Sequence, residues 1–240
     1  MTRRWLVLRL DAPLMAFGGI AIDQVGPTRD FPAVSMMTGV IGNALGWHWS
    51  DRALHQALQD RLVFAARHDR DGTRLTDSQN VQLASNDKGW TTMGMPEGRS
   101  GATYDAPHRR LRDYLADASV CVVLRLEPVD KPPFLDEVAE AIEQPVRPLF
   151  LGRKPCVPSS PLVPQGDTRW ITADTAWTAL RSVPGNGRQI RAQWPLGEGP
   201  GIGEGADRII DLADLRNWRT GLHAGMRQVA EGWIVPDATT

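Results

Sequence analysis

Ala118-Ser-Val-Cys-Val-Val-Leu-Arg-Leu126 is the strongest strand signal in the chain. Apolar and β-branched side chains run through it almost without interruption. A run this short and this rich in β-branched residues reads as a strand. Trp5-Leu-Val-Leu-Arg-Leu10, short, apolar and β-rich, stops at Asp11-Ala-Pro13 and so reads as a buried strand that opens the fold.

Working outward, a glycine- and proline-punctuated loop runs from Ala12 to Val34. Ser35 is then the expected N-cap of a helix over Met36–Trp47, in which Met37, Val40, Ile41, Ala44 and Leu45 share one face. Gly39 and Gly42 in that helix leave room for another backbone. Asp51–Leu62 reads as a second helix, Leu62–Arg67 as a strand, and short strands are expected on either side of Asp71-Gly72. The apolar period vanishes between Ala84 and His108, as in a projecting loop, and Pro133–Glu143 is a helix with Phe134, Leu135, Val138 and Ile142 on one side.

Strand, helix, strand, strand, helix, then further strand-like pieces such as Ala176–Val183, is the order of a ferredoxin-like βαββαβ unit. The expected fold class is α+β. Residues 1–145 form the ferredoxin-like domain with an insertion near its middle, and residues 146–240 form a smaller, β-rich C-terminal region packed on it.

Composition narrows the function classes. The 240 residues are 42% hydrophobic and carry a formal net charge of -1, so no global positive field draws the chain onto phosphate. With 23 glycines and 18 prolines, long loops inside a folded domain are expected, and nine tryptophans argue against disorder. The two cysteines, Cys121 and Cys156, form neither a disulfide framework nor a metal-binding spacing. No apolar run suits a signal peptide or a membrane span, which points to a cytoplasmic protein with no membrane partner.

The near-neutral total conceals a strong local pattern. Residues 99–112 carry Arg99, Arg109, Arg110 and Arg112 against Asp105, and residues 145–154 carry Arg147, Arg153 and Lys154 with no acid, so each stretch sums to +3. Residues 127–144 sum to -5 and read as a solvated acidic face. Of the 27 basic side chains only Lys88, Lys131 and Lys154 are lysines. Genome composition explains such a bias, and so does phosphate recognition, since the planar guanidinium binds phosphate with two parallel hydrogen bonds and stacks on bases. Two basic loops beside glycines and aromatics suit single-stranded RNA; short charge runs on a solvated surface look the same.

Catalytic and cofactor motifs are sparse. Gly201-Ile-Gly203-Glu-Gly205-Ala206 fits a loose dinucleotide pattern but lacks the preceding strand, and no phosphate-binding lysine loop, paired metal histidines or serine elbow is present, so no cofactor is expected. His108, beside Arg109 and Arg110, is the one histidine in a setting suited to acid-base cleavage of RNA, and equally to simple phosphate contact.

Four segments together carry a family resemblance. Pro13-Leu-Met-Ala-Phe-Gly18, Phe31-Pro-Ala-Val-Ser35 leading to Ala44-Leu-Gly46, Arg112-Asp-Tyr-Leu-Ala-Asp-Ala-Ser119, and Phe150-Leu-Gly-Arg-Lys-Pro-Cys156 before Pro161-Leu162 resemble the CasD family. That family holds the 5′ handle of the guide RNA in the type I-E CRISPR Cascade complex. The resemblance implies a repeat-associated mysterious protein, ferredoxin-like, with a thumb at about residues 84–110. It implies that Phe17, Gly18, Arg29, Ser35, His108, Arg109, Arg110, Arg112, Phe150, Arg153 and Lys154 meet the handle. Trp90, Met93, Met95, Arg99 and Tyr104 would then present the thumb to a neighbouring subunit. Partners implied are the crRNA 5′ handle, the backbone subunit CasC and the large subunit CasA, with target DNA met only through the complex.

The chain departs from the family at Pro32-Ala-Val-Ser-Met36, where a basic residue and a glycine are usual, and at Met15 and Phe17, where glutamine and tryptophan are usual. The expected function is a non-catalytic scaffold that caps the handle and joins backbone and large subunits. Related type I-C subunits cleave the repeat RNA with tyrosine, histidine and lysine. The enzyme alternative would therefore draw on Tyr104 or Tyr114, His108, and Lys88 or Lys154. A pure protein adaptor is the third reading.

Overall fold

The structure is a computed structural model that describes residues 2–82, 88–90, 96–98 and 107–238. In chain order its elements are β1 (Arg3–Asp11), β2 (Leu14–Met15), β3 (Val25–Gly26), α1 (Val34–Ala44), α2 (Arg52–Arg61), β4 (Leu62–Arg70), β5 (Thr73–Val81), β6 (Lys88–Trp90), β7 (Pro96–Gly98), β8 (His108–Ala116) and β9 (Ser119–Leu126). There follow α3 (Leu135–Glu143), β10 (Trp170–Ala173), α4 (Ala176–Ser182), β11 (Ile190–Pro195), β12 (Ala206–Leu212) and β13 (Arg227–Ile234).

β9 lies inside a seven-stranded antiparallel sheet of order β10-β1-β9-β4-β11-β13-β12. It pairs with β1 from Leu6↔Leu124 to Asp11↔Ser119 on one side and with β4 on the other. Alternate residues serve two cores. Val120, Val122, Leu124 and Leu126 face Leu6, Leu8 and Leu10 beneath α1 and α3, against Met37, Ile41, Val138 and Ile142. Cys121 and Val123 face Trp5 and Val7 on the opposite side, with Ala176, Ala179 and Leu180 of α4. Helices on both faces explain why the strand has so little polar alternation: nearly every side chain leaves water, and its one charge, the buried Arg125, is paired with Glu127 and with Glu198 at 2.6 Å.

The expected strand over Ala176–Val183 is instead the helix α4. The Thr175 hydroxyl accepts the Thr178 N–H at 3.2 Å, and Ala176, Ala179 and Leu180 fall at the i, i+3, i+4 spacing of one buried helical face. The strand that pairs with the edge of β1 opposite β9 is β10, which starts six residues earlier. Ser35 is not the N-cap of α1, which begins at Val34. Its Val34 N–H donates to Asp214 Oδ2 at 3.0 Å and its Ser35 N–H to the Asp214 carbonyl at 3.3 Å. The carboxylate that caps this helix comes from 180 residues further on, which local sequence cannot reveal.

Strands from either side of residues 145/146 share the one large sheet, since β10 pairs with β1 and β11 pairs with β4. The insertion between β4 and β9 leaves that sheet as an antiparallel ribbon, β5 against β8, in register from Thr73↔Ala116 to Val81↔His108. β2 and β3 flank the base of β8, and β6 pairs with β7 further along the insertion.

Candidate nucleic-acid interface

A groove of about 710 Å³ opens beside α1. Its walls come from the loop after β1, the groove face of α1, the turn between α1 and α2, the 147–153 segment and the 213–223 segment. Arg29, Arg147, Arg153 and Arg216 line it, with His48, His55 and His223. Its one acid, Asp214, is buried, caps α1 and is paired with Arg227 at 2.9 Å, so no unpaired carboxylate opposes an anion there.

The 150–156 motif folds against the loop after β1. The Ala16 N–H donates to the Leu151 carbonyl at 3.0 Å, and Gly152 has φ +95°. A Cβ at Gly152 would run into the Ala16 carbonyl, so glycine is required on steric and on backbone grounds. Arg153 then reaches back across the loop. Its Nη1 donates to the Asp113 carbonyl and its Nη2 to the Gly26 carbonyl, each at 2.8 Å, and its guanidinium lies 4.8 Å from the Tyr114 ring centroid. Arg112 donates to the Leu111 and Gln24 carbonyls, and both arginines crowd Gly26: a Cβ there would stand 3.0 Å from Arg112 and 3.2 Å from Arg153 Nη2, so a side chain would have to push them aside.

Arg29 and Arg147 are held in the same way. Arg29 Nη2 donates to the Ala213 carbonyl at 2.6 Å, and Arg147 donates to the Trp47 and Gly46 carbonyls at 2.7 and 2.9 Å. Each guanidinium has five N–H donors, so a side chain tied to one or two carbonyls is positioned and still has donors for a phosphate. Arg109, Arg110 and Lys154, by contrast, are exposed.

A model of the Cas5 family of CRISPR-associated proteins matches residues 5–230. The chain belongs to that family. It is 31% identical over 160 residues to the CRISPR system Cascade subunit CasD of Escherichia coli (strain K12), covering 67% of this chain and 70% of that one. The fold is similar to a chain of a CRISPR RNA-guided surveillance complex, with a TM-score of 0.66 at 20% identity over 97% of this chain and 90% of the other. It is also similar to a solved Cas protein, with a TM-score of 0.61 at 22% identity over 98% of each chain.

Within this Cas5 fold the expected contact residues separate into groups. Gly18, Arg29, Ser35, Phe150 and Arg153 come together in the groove, and Arg112 lies behind Arg153. Arg109 and Arg110 lie further out on the ribbon, and Lys154 lies outside the groove lining. Phe17 also lines the groove, but its side chain is fully buried, with its N–H donated to Thr28 Oγ1 at 2.9 Å, so its ring has no exposed face. His108 is placed through its backbone, opposite Val81, and Trp90 through its backbone, opposite Pro96. Met93, Met95, Arg99 and Tyr104 lie outside the described residues.

Sequence reading missed half of the groove. Trp47, His48 and Trp49 come from the α1–α2 turn, His55 from α2, and Arg216, Trp218 and His223 from a segment beyond the region of resemblance. The His55 ring is stacked on Trp218 at 4.6 Å and edge-on to Trp47 at 5.4 Å. The Gln59 amide oxygen accepts from the Arg216 N–H and the Trp218 indole N–H. The only hint in the sequence is the proximity of tryptophan and arginine in 216–219, which no local rule distinguishes from a surface loop. Among the described residues no cluster of three or more histidine, cysteine or acidic side chains could hold a metal.

Proposed function

We propose that this chain is a non-catalytic subunit of a CRISPR surveillance complex that binds and caps the 5′ handle of the guide RNA and links the backbone and large subunits. The observation that carries this reading is the groove itself: four arginines, three of them held in place by backbone carbonyls, with no unpaired carboxylate. Pre-positioned guanidinium groups bind phosphate without first losing side-chain freedom. The exposed Arg109 and Arg110 continue the positive charge along the ribbon. The name of the E. coli relative, a Cascade subunit, agrees with this role.

The strands β1, β4, β9 and β10 with α1 and α3 follow the βαββαβ succession, and we read this part as ferredoxin-like. On that reading the unit continues to Ala173 and carries the thumb at about residues 84–110 between its second and third strands. A cytoplasmic site of action follows from the RNA partner.

The test is the affinity of the handle RNA for the full chain in its assembled complex. Arg147→Ala should weaken it, and Arg110→Ala should flatten its salt dependence by about 0.7 of a logarithmic unit of slope, the value of one phosphate contact on a single strand. Unchanged affinity at every salt concentration would remove the reading. Specific cleavage of repeat RNA in divalent-free buffer, abolished by His108→Ala, would replace it with the endoribonuclease.

A further inference from the structure

At the end of β1 away from the groove, β1 and β9 part. Their ladder stops at Leu6↔Leu124, although β1 runs on to Arg3 against β10 and β9 runs on to Leu126 against β4. A cavity of about 450 Å³ lies in the fork, lined by Arg3 and Arg4 on one prong and by Arg125, Leu126 and Glu127 on the other. Val129 and the start of α3 at Phe134 close it. Arg61 donates to the carbonyls of Pro128, Lys131, Pro132 and Pro133, which fixes the loop that carries Val129.

The fork is cationic, and its deepest cation is short of partners. Arg125 is 4% exposed, lies 5.0 Å from the Trp5 ring centroid, and has no hydrogen-bond partner at Nε. Glu198 pairs with it at 2.6 Å but also accepts the Ala176 N–H at the start of α4, so that carboxylate is committed to the helix. Its other partner, Glu127, is half exposed, and a carboxylate from outside exchanges with such a group at small cost. Arg4 is placed alike, over the Trp170 ring and paired with the exposed Asp136, and Arg3 donates one N–H to the Asp174 carbonyl. Each guanidinium keeps further donors.

Strand geometry orders these groups. Side chains alternate along a strand, so Arg3 and Arg125 fall on the α4 side of the sheet with Trp5 and Val123, while Leu126 falls on the α3 side with Leu124. Phe134 and Val129, both large and apolar, are exposed at the mouth. An extended chain in the fork presents its side chains to the two faces in turn, carboxylates to the arginines and apolar groups to Leu126, Val129 and Phe134. We propose that the fork between β1 and β9 is a docking site for an extended segment of a partner protein in which acidic and apolar residues alternate. The charge and the alternation of the lining select that occupant. The two cavities share no lining residue, so the proposal stands apart from the RNA reading of the groove.

The experiment uses the full chain and a short fluorescein-labelled peptide that alternates glutamate and leucine, followed by anisotropy. A second peptide has the same composition with its glutamates in one block, and so the same charge. Saturable binding of the alternating peptide is expected, with weaker binding of the blocked one. Arg4→Glu should weaken binding by about tenfold or more, the worth of a hydrogen bond to a charged group. Glu127→Gln should tighten it by about twofold to fivefold, because a competing carboxylate is removed. Arg188→Glu, an exposed reversal outside the fork, should leave it unchanged. If Arg4→Glu lowers the thermal midpoint, Val129→Asp decides: loss of binding supports the site, and full binding overturns it. No saturable binding at millimolar peptide would overturn the proposal. Equal binding of the two peptides, or equal loss with Arg4→Glu and Arg188→Glu, would overturn it as charge attraction alone. Loss of handle-RNA affinity in Arg4→Glu with peptide binding unchanged would overturn it in favour of a nucleic acid.

Discussion

Arg153 and Arg110 lie in the two basic stretches of the sequence, yet they do different work. Arg153 ties three segments together through the Asp113 and Gly26 carbonyls and the Tyr114 ring, whereas Arg110 is exposed on the ribbon. Arg153→Ala should therefore cost about 2 kcal/mol of stability, the loss of hydrogen bonds from a charged donor, and lower the thermal midpoint by about 4–8 °C in calorimetry. Arg110→Ala should leave that midpoint within about 1–2 °C, as exposed substitutions do. At Asp30 burial alone would raise the carboxyl pKa, but the hydrogen bond and charge of Arg191, with Arg74 and His68, outweigh it and hold the pKa below its ordinary value of 3.8. A depressed carboxylate stabilises the fold above its ordinary pKa and loses that contribution as pH falls through the lower, folded value. Asp30→Asn should thus flatten the fall of thermal midpoint below about pH 4, measured by scanning pH in steps. Full burial pushes the Cys121 thiol up to about 12, and burial also raises Cys156. Neither should react with a thiol reagent at pH 8 in the native protein, and both should react in guanidinium; fast labelling of native Cys121 would contradict its place in the sheet.

At the scale of the element, α1 depends on a residue far away in sequence. Asp214 is 2% exposed, receives the Val34 N–H and is paired with Arg227 through both oxygens. Asp214→Ala removes a helix cap and leaves Arg227 without its carboxylate, so a loss of about 3–5 kcal/mol is expected in urea unfolding, with Asp214→Asn recovering the capping part. Within α1 the two glycines should answer oppositely to alanine. At Gly42 the new Cβ would stand 2.7 Å from His55 Nε2, and the His55 ring is held by Trp47, Trp218 and the Asp51 carbonyl. Gly42→Ala should destabilise by about 1–3 kcal/mol through overpacking, while at Gly39 an added Cβ would meet no atom within 4 Å, so Gly39→Ala should stabilise by about 0.5–1 kcal/mol. Equal effects of the two substitutions in parallel urea titrations would show that the open and filled sides of α1 are wrongly assigned.

For the whole molecule, a net charge of -1 accompanies a groove that bears four arginines and no unpaired acid, because the acids lie elsewhere, several of them on and before α3. RNA binding should accordingly depend steeply on salt despite the neutral total, and the logarithmic slope of affinity against salt, measured by titration, counts the phosphates held at about 0.7 each. The sequence by itself determined the α+β class, the strands β1 and β9 and the helices α1, α2 and α3, because each rests on short-range periodicity. It determined the basic stretches too, since charge along the chain is read directly. It did not determine α4, whose seven residues look equally apolar as a strand; nor the cap of α1, which is supplied by Asp214. Only the tertiary structure decided which arginines are tied down, that Phe17 is turned into the core, and that Trp47, His55, Arg216 and Trp218 complete one groove. The physical reason is distance along the chain. Periodicity and propensity act over a few residues, whereas burial, carbonyl partners and ring stacking come from segments up to 184 residues apart, brought together only when the sheet closes over its two cores.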